Sequence, residues 1–352
     1  MYTKTFVRLT AAVLLLAACS SGPAATSATP SSAAGTAAAT ASASATPRPV
    51  QKIDFQLSFL PLPQNVAYYV AQAKGFYREQ GLDVNILRGN GSGATANSVD
   101  QGQVLIGEAD MPTVVVARNQ GQKVKAFMLM VDSTPQAFAA IDPAIKSPKD
   151  FEGRTVGVAS GSGDANLLPV LVKAAGGDPA KVKVQNLAAG VYNSALLNGQ
   201  VDVVPAYTNG GFISLKMQAD AAGKSVHAIA SRDFNLDIYQ LCLIASDKTI
   251  DQQPDLVRAF ALGTVKGLRY AVQNPTEAVQ ILTAAIPTLD PNATPLQVAE
   301  VIKVVDTSAF RSNGFGVADQ AKLTKTRDVV LQAYGVTATI PASDLYTDKF
   351  LK

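Results

Sequence analysis

The sequence predicts an α/β fold of two lobes, each a βαβαβ-based sheet flanked by helices. Three observations predict it. From Ile53 to Gly93 the chain reads strand, loop, helix, strand, loop. The same order recurs from Thr155 onward. Roughly 300 residues follow the N-terminal segments, more than one hydrophobic core usually takes. Strand–helix alternation of this kind builds a parallel sheet.

In the first unit, Ile53, Phe55, Leu57 and Phe59 alternate with Asp54, Gln56 and Ser58, the period of two of a strand. A proline-rich loop, Leu60 to Asn65, can continue neither strand nor helix. Val66, Tyr69, Val70, Ala73 and Tyr77 then recur at helical spacing, with Gly75 and Gly81 as stop signals. A strand over 84–87 feeds the turn Gly91-Ser92-Gly93. A helix over 94–100 follows, then a strand over 102–107 ending at Glu108-Ala109-Asp110. Met111-Pro112-Thr113 opens a helix over 114–120, and a buried strand over 124–131 is broken by Asp132-Ser133-Thr134-Pro135.

The second unit opens on Ser147-Pro148-Lys149-Asp150, an N-cap serine with a first-turn proline and an acid three residues on. Strands are expected over 155–158, 182–184 and 199–204, and helices over 164–175 and 191–197. Gly102-Gln103-Val104 and Gly199-Gln200-Val201 hold corresponding places, so one plan is repeated. A helix over 212–222, a strand over 226–230 and a returning strand over 241–245 come next. Helices over 254–272, 276–285, 295–304 and 318–333 close the chain. The first of these has an apolar face of Leu256, Val257, Phe260, Ala261 and Leu268. Lobe one is thus expected over 51–136 and 242–352, and lobe two over 137–241.

Ahead of both lobes, Lys4 and Arg8 precede an apolar run of about ten residues, a signal segment over 1–18. It is too short to span a bilayer. Leu16-Ala17-Ala18-Cys19 resembles the bacterial lipoprotein cleavage box. That resemblance implies a lipid on Cys19, holding the protein on the extracytoplasmic face of the cell membrane. Residues 19–50 are Ala, Ser, Thr, Pro and Gly with no charge before Arg48, a disordered tether. With Cys19 lipidated, Cys242 is a lone thiol in an apolar run and no disulfide is expected.

Several function classes are set aside by composition. Removing Lys4 and Arg8 takes 30 cations to 28 against 27 anions, so nothing draws the protein to nucleic acid. His227 is the single histidine, which leaves neither a Cys–His nucleophile nor a zinc cluster in view. No catalytic residue, metal or cofactor is expected.

Ligands of parallel sheets sit at the carboxyl ends of strands. Gly91-Ser92-Gly93 and Ser160-Gly161-Ser162-Gly163, with Asp164 after it, each precede a helix. Free helix N–H groups there can receive an oxygen-rich ligand, or the glycines serve a tight turn. Neither run has the following Gly-Lys-Ser/Thr of a phosphate loop. Gln64 and Asn65 can bond ring carbonyls or imides, or Asn65 can cap the helix it precedes. Glu108 and Asp110 can accept from ligand hydroxyls, or stand as plain surface acids. Tyr68 and Tyr69 diverge by about 100° on their helix, so one belongs to the core and the other to the cleft. Phe59, Tyr68, Tyr69, Tyr207 and Tyr239 suit a planar heterocycle. His227 is expected to be exposed.

The runs PQNVAYYVAQAKGFYREQGLDV, SPKDFEGRTVGV, GQVDVVPAYTN and PDLVRAFALGTVKGLRYAVQNPTEAVQIL resemble the periplasmic solute-binding proteins for thiamine precursors, sulfonates and riboflavin. The C-terminal run from Tyr346 to Leu351 resembles the tail of the thiamine-precursor members. The likeness covers about residues 52–351. It implies a type-II periplasmic binding protein fold, two lobes joined by two crossover strands. It also implies service to an ABC importer as a monomer with a membrane permease for partner. Ser58-Phe59 stands where pyrimidine-binding relatives tend to carry Asp-Trp, and Thr208 follows Tyr207 where they tend to carry Trp. These smaller side chains widen the slot, so the resemblance points to riboflavin, with Ser58, Tyr207 and Asn209 among the contacts. The alternatives are a thiamine pyrimidine precursor (formylaminopyrimidine or hydroxymethylpyrimidine) and an alkyl sulfonate. A pyrimidine-synthase-like enzyme is remote, because eukaryotic relatives of that kind use a histidine and a cysteine-rich motif with iron.

Overall fold

The computed structural model describes residues 50–188, 190–336 and 340–352. The signal segment, Cys19 and all but the last residue of the tether lie outside the described residues. Lobe one begins with β1 (Gln51–Gln56), α1 (Val66–Ala73), α2 (Phe76–Glu79), β2 (Leu82–Leu87) and α3 (Ser92–Asp100). It continues through β3 (Ile106–Asp110), α4 (Met111–Asn119) and β4 (Val124–Leu129). Lobe two holds β5 (Gln136–Ala140), β6 (Thr155–Val158), α5 (Gly163–Ala174), β7 (Lys183–Asn186) and α6 (Tyr192–Leu197). It ends with β8 (Val203–Tyr207), α7 (Gly211–Ala221) and β9 (His227–Ala230). The chain then returns through β10 (Leu241–Ser246). Seven helices complete it: α8 (Asp247–Gln252), α9 (Pro254–Gln273), α10 (Pro275–Ala285), α11 (Ala293–Val305), α12 (Ser308–Asn313), α13 (Gln320–Ala333) and α14 (Ala342–Leu345).

The two sheets share one topology. The first runs β2-β1-β3-β10-β4 and the second β7-β6-β8-β5-β9. In each, four strands run parallel, and the fourth position is filled by an antiparallel strand arriving from the other lobe. The repeat expected from sequence is therefore present in strand order. It is shifted in register: Gly102 and Gly199, with positive φ, belong to turns, and their strands start only at Ile106 and Val203. The strand β5 was not expected at all. His227 also departs from expectation, since it is half-buried and its Nε2 lies 2.7 Å from the Ile145 carbonyl.

Helix α9 packs across α1 and α2 through small residues. A Cβ on Gly267 would lie 2.3 Å from the Ala67 carbonyl oxygen, and one on Gly263 2.5 Å from the Tyr77 ring. Between the lobes, the crossover around Asp132–Pro135 and that around Asp237–Gln240 are tied together. Asp237 accepts from Ser133 Oγ at 3.2 Å and from Lys322 Nζ at 2.9 Å, and Lys322 also donates to the Asp132 carbonyl. Lys322 sits on α13, which packs on α4 of lobe one and α5 of lobe two.

Candidate ligand-binding site

Both sheets present the carboxyl ends of their parallel strands to one cleft, and the loops there meet directly. The Gly93 N–H donates to the Gly161 carbonyl at 3.0 Å, and Asn166 Nδ2 to Thr113 Oγ1 at 2.8 Å. Between the lobes lies a chamber of about 120 Å³. From lobe one it is lined by Ser58, Phe59, Gln64, Ser92 and Asp110, and from lobe two by Ser162, Asp164, Tyr192, Asn193 and Tyr207. It opens onto a vestibule of about 370 Å³ that shares Phe59, Gln64, Tyr192 and Asn193 and reaches the exposed Gly190, Thr288 and Asp290.

Phe59 and Tyr192 face each other across the mouth of the chamber. Their ring centroids are 6.3 Å apart and their planes only 16° from parallel. Phe59 follows β1 in a loop laced to its neighbour, with Gly89 N–H bonded to the Phe59 carbonyl and Gly91 N–H to that of Ser58, each at 2.8 Å. Glycine is required at 89, because a Cβ would fall 2.0 Å from the Leu57 carbonyl oxygen. Tyr192 opens α6, and its hydroxyl accepts from the Ala159 N–H at 2.8 Å, which fixes the ring against lobe two.

Two carboxylates line the chamber from opposite lobes. Asp110 ends β3; its Oδ2 accepts from Ser92 Oγ at 2.8 Å, and its buried Oδ1 has no partner. Asp164, in the first turn of α5, accepts from Gln136 Nε2 at 3.3 Å. Burial raises both, Asp110 to about 7 with Asp164 and Glu108 adding repulsion and Ser92 opposing it. Asp164 rises to about 6, Gln136 opposing. Among the described residues lining the chamber, none is Lys, Arg or His.

Beneath the chamber floor Glu108 holds the loops together. Its carboxylate accepts from Ser58 Oγ at 2.7 Å, Ser58 N–H at 3.1 Å, Tyr68 OH at 2.8 Å and Asn65 Nδ2 at 3.2 Å. Desolvation still outweighs these four donors, and the carboxyl sits above its ordinary range.

The matched family model, described as NMT1/THI5 like, spans residues 62–278, more than half of the chain. The chain belongs to the NMT1/THI5-like family. Among curated relatives, a riboflavin-binding protein, RibY, of Chloroflexus aurantiacus is 28% identical over 96% of this chain and 95% of its own. A formylaminopyrimidine-binding protein of Halalkalibacterium halodurans is 25% identical over 66% and 70%. A 4-amino-5-hydroxymethyl-2-methylpyrimidine phosphate synthase of Legionella pneumophila is 28% identical over 68% and 75%. Among solved structures, a Candida albicans protein described as having the generic periplasmic binding protein structural fold superposes with a TM-score of 0.67 at 15% identity. It covers 86% of this chain and 98% of its own. This NMT1/THI5-like chain thus has the periplasmic binding protein fold expected from its sequence.

Of the residues expected at the site, Ser58, Phe59, Gln64, Ser92, Asp110, Ser162, Asp164 and Tyr207 come together around the chamber. Others are corrected. Tyr68 and Tyr69 are both buried, and Tyr68 stacks edge-on against Phe55 in the core, so neither serves as a cleft wall. Asn65 makes no side-chain cap to α1; its Oδ1 accepts from the Leu62 N–H at 2.9 Å and its amide supports Glu108. Glu108 is therefore neither a ligand acceptor nor a surface acid. Ser160 is exposed outside the chamber, its N–H bonded to Asn186 Oδ1 at 2.8 Å. Asn209 lines a separate small cavity behind Tyr207. Tyr239 is buried beside the crossovers, its hydroxyl accepting from the Asp319 N–H at 2.8 Å. Tyr192 and Asn193 were missed. The signal was an aromatic–amide pair just beyond Gly190 at the end of a β-strand loop, the counterpart of Phe59 and Gln64.

Proposed function

We propose that this chain is the solute-binding component of an ABC importer and that its solute is riboflavin. The observation that carries this reading is the facing of Phe59 and Tyr192 from opposite lobes at near-parallel angle. A flat ring between them needs about 3.5 Å on either side, roughly 7 Å in all, so the two faces part slightly to admit it. It then gains a face from each lobe, about 0.5–1.5 kcal/mol per aromatic contact beyond area burial. Such contacts exist only when the lobes are together, so the ligand favours closure. The near full-length riboflavin-binding relative supports the same solute. An alkyl sulfonate fits less well. The chamber lining carries no cation, and the Gly93 N–H is bonded to Gly161.

A thiamine pyrimidine such as formylaminopyrimidine is the second reading. Ser58 leaves no carboxylate at the first-strand position, but Asp110 and Asp164 could accept from an exocyclic amine. Binding without turnover is the expected activity, and Cys19 is the expected lipid attachment point, holding the protein beside its permease. Titration of purified protein with riboflavin, formylaminopyrimidine and taurine tests the solute. Riboflavin fluorescence should quench at saturation, and Tyr192→Ala should weaken that binding at least tenfold. Heat from formylaminopyrimidine with no response to riboflavin would move the assignment to the pyrimidine; silence from both removes it.

A further inference from the structure

We infer that the ligand enters tail first, its hydroxylated side chain lying between Asp110 and Asp164 and its flat ring remaining outside between Phe59 and Tyr192. The inference rests on the flavin reading and deepens it. It follows from the shape and the hydrogen-bonding sense of the two compartments. The chamber is about 120 Å³ against about 370 Å³ for the vestibule, and the Asp110 carboxylate packs directly on Gly163, closing that side. The smaller compartment suits a slim chain better than a fused ring system. Its inner polar groups are dominated by acceptors: the unpartnered Asp110 Oδ1 and the Asp164 carboxylate, from opposite sides.

A polyol tail carries a hydroxyl donor on nearly every carbon and matches such a lining. The pyrimidine-dione edge of a flavin ring runs acceptor, donor, acceptor, and its two carbonyls would face carboxylates there. The vestibule shares Gln64, Asn193 and the two aromatic faces with the chamber and adds Ser214 and Gln218, groups that both donate and accept. The carboxylate in its lining, Asp290, is exposed and already takes the Asn292 and Ala293 N–H groups. Each end of the ligand thus meets its complement only in one orientation. Selectivity follows. A phosphate on the tail would be driven against two acids with no cation to receive it, a cost that lowers affinity.

Fluorescence titration with riboflavin, flavin mononucleotide and lumichrome, which lacks the tail, tests this on the wild-type protein. Lumichrome should bind about tenfold or more weaker than riboflavin, and flavin mononucleotide about a hundredfold or more weaker. In Asp110→Asn/Asp164→Asn the penalty against flavin mononucleotide should shrink at least tenfold with lumichrome unchanged. Flavin mononucleotide binding as tightly as riboflavin to the wild type overturns the orientation and leaves the flavin assignment standing. Lumichrome affinity lost in the double variant likewise overturns it, because the ring would then touch the acids. No response to any of the three overturns both.

Discussion

Asp110 meets the carboxylate of Asp164 across the cleft, with Glu108, Tyr207 and Cys242 the other titratable groups around it. Its pKa in the folded protein, about 7, lies above that of a free aspartate near 3.9. Between those values the folded chain binds more protons than the unfolded one. The contribution of this group to stability is therefore fully present below about pH 4 and is lost as pH rises through 7, on the order of 4 kcal/mol. Asparagine imitates the protonated acid at all pH values. The urea midpoint of the wild type should fall between pH 5 and 8 by more than that of Asp110→Asn. Glu108 and Asp164, present in both, cancel in the comparison to first order. Parallel profiles would show that the carboxyl is already solvated. What sequence could reveal at this scale was the position of Asp110 at a strand end, not its isolation. Asp110 and Glu108 sit two apart on one strand and looked alike. Four donors from three other positions separate their roles, and those donors meet only in three dimensions.

At the scale of elements, local signals served well wherever they were strong. Alternation of Ile53, Phe55 and Leu57 marked β1. The Ser147–Asp150 run formed the capping arrangement its spacing announced. The strand β5, Gln-Ala-Phe-Ala-Ala, failed to announce itself. It is buried on both faces, so it shows no alternation, and it has no β-branched residue to favour extended backbone. The short helices α8, α12 and α14 depend on packing more than on pattern. Helix α9 shows how packing can hide in an apparent weakness. Gly263 and Gly267 are poor helix formers, yet four residues apart they let α2, through Tyr77, and α1 approach. Gly267→Ala adds a methyl group 2.3 Å from the Ala67 carbonyl and should cost about 1–3 kcal/mol despite its better helix propensity. Thermal and chemical denaturation would detect it, and an unchanged or raised midpoint would mean the helices slide apart freely.

For the whole molecule, the repeated order of elements made the two-lobed plan readable, while the facing of Phe59 and Tyr192 was not. These two rings are far apart in the chain and become neighbours only through the crossovers. Lys322 ties those crossovers together. It bridges the Asp132 carbonyl and Asp237, and burial tends to raise Asp237 while Lys322, Thr134 and Ser133 outweigh that and hold it below its usual range. Lys322→Met should speed amide exchange around residues 131–136 and 235–240 and weaken solute binding severalfold. Unaltered exchange there would assign the lysine to the surface alone.

The placement of β10 bears on how the protein is made. The first sheet has β3 and β4 on either side of that strand, so they cannot pair until Leu241–Ser246 arrives. The second sheet, drawn from 136–230 without interruption, has its last strand, β9, separated from β10 only by residues 231–240. As the chain emerges end first, the later-encoded sheet can therefore be completed shortly before the earlier one. The strands β1, β2 and β3 can already pair among themselves, but β4 waits for a strand more than a hundred residues behind it.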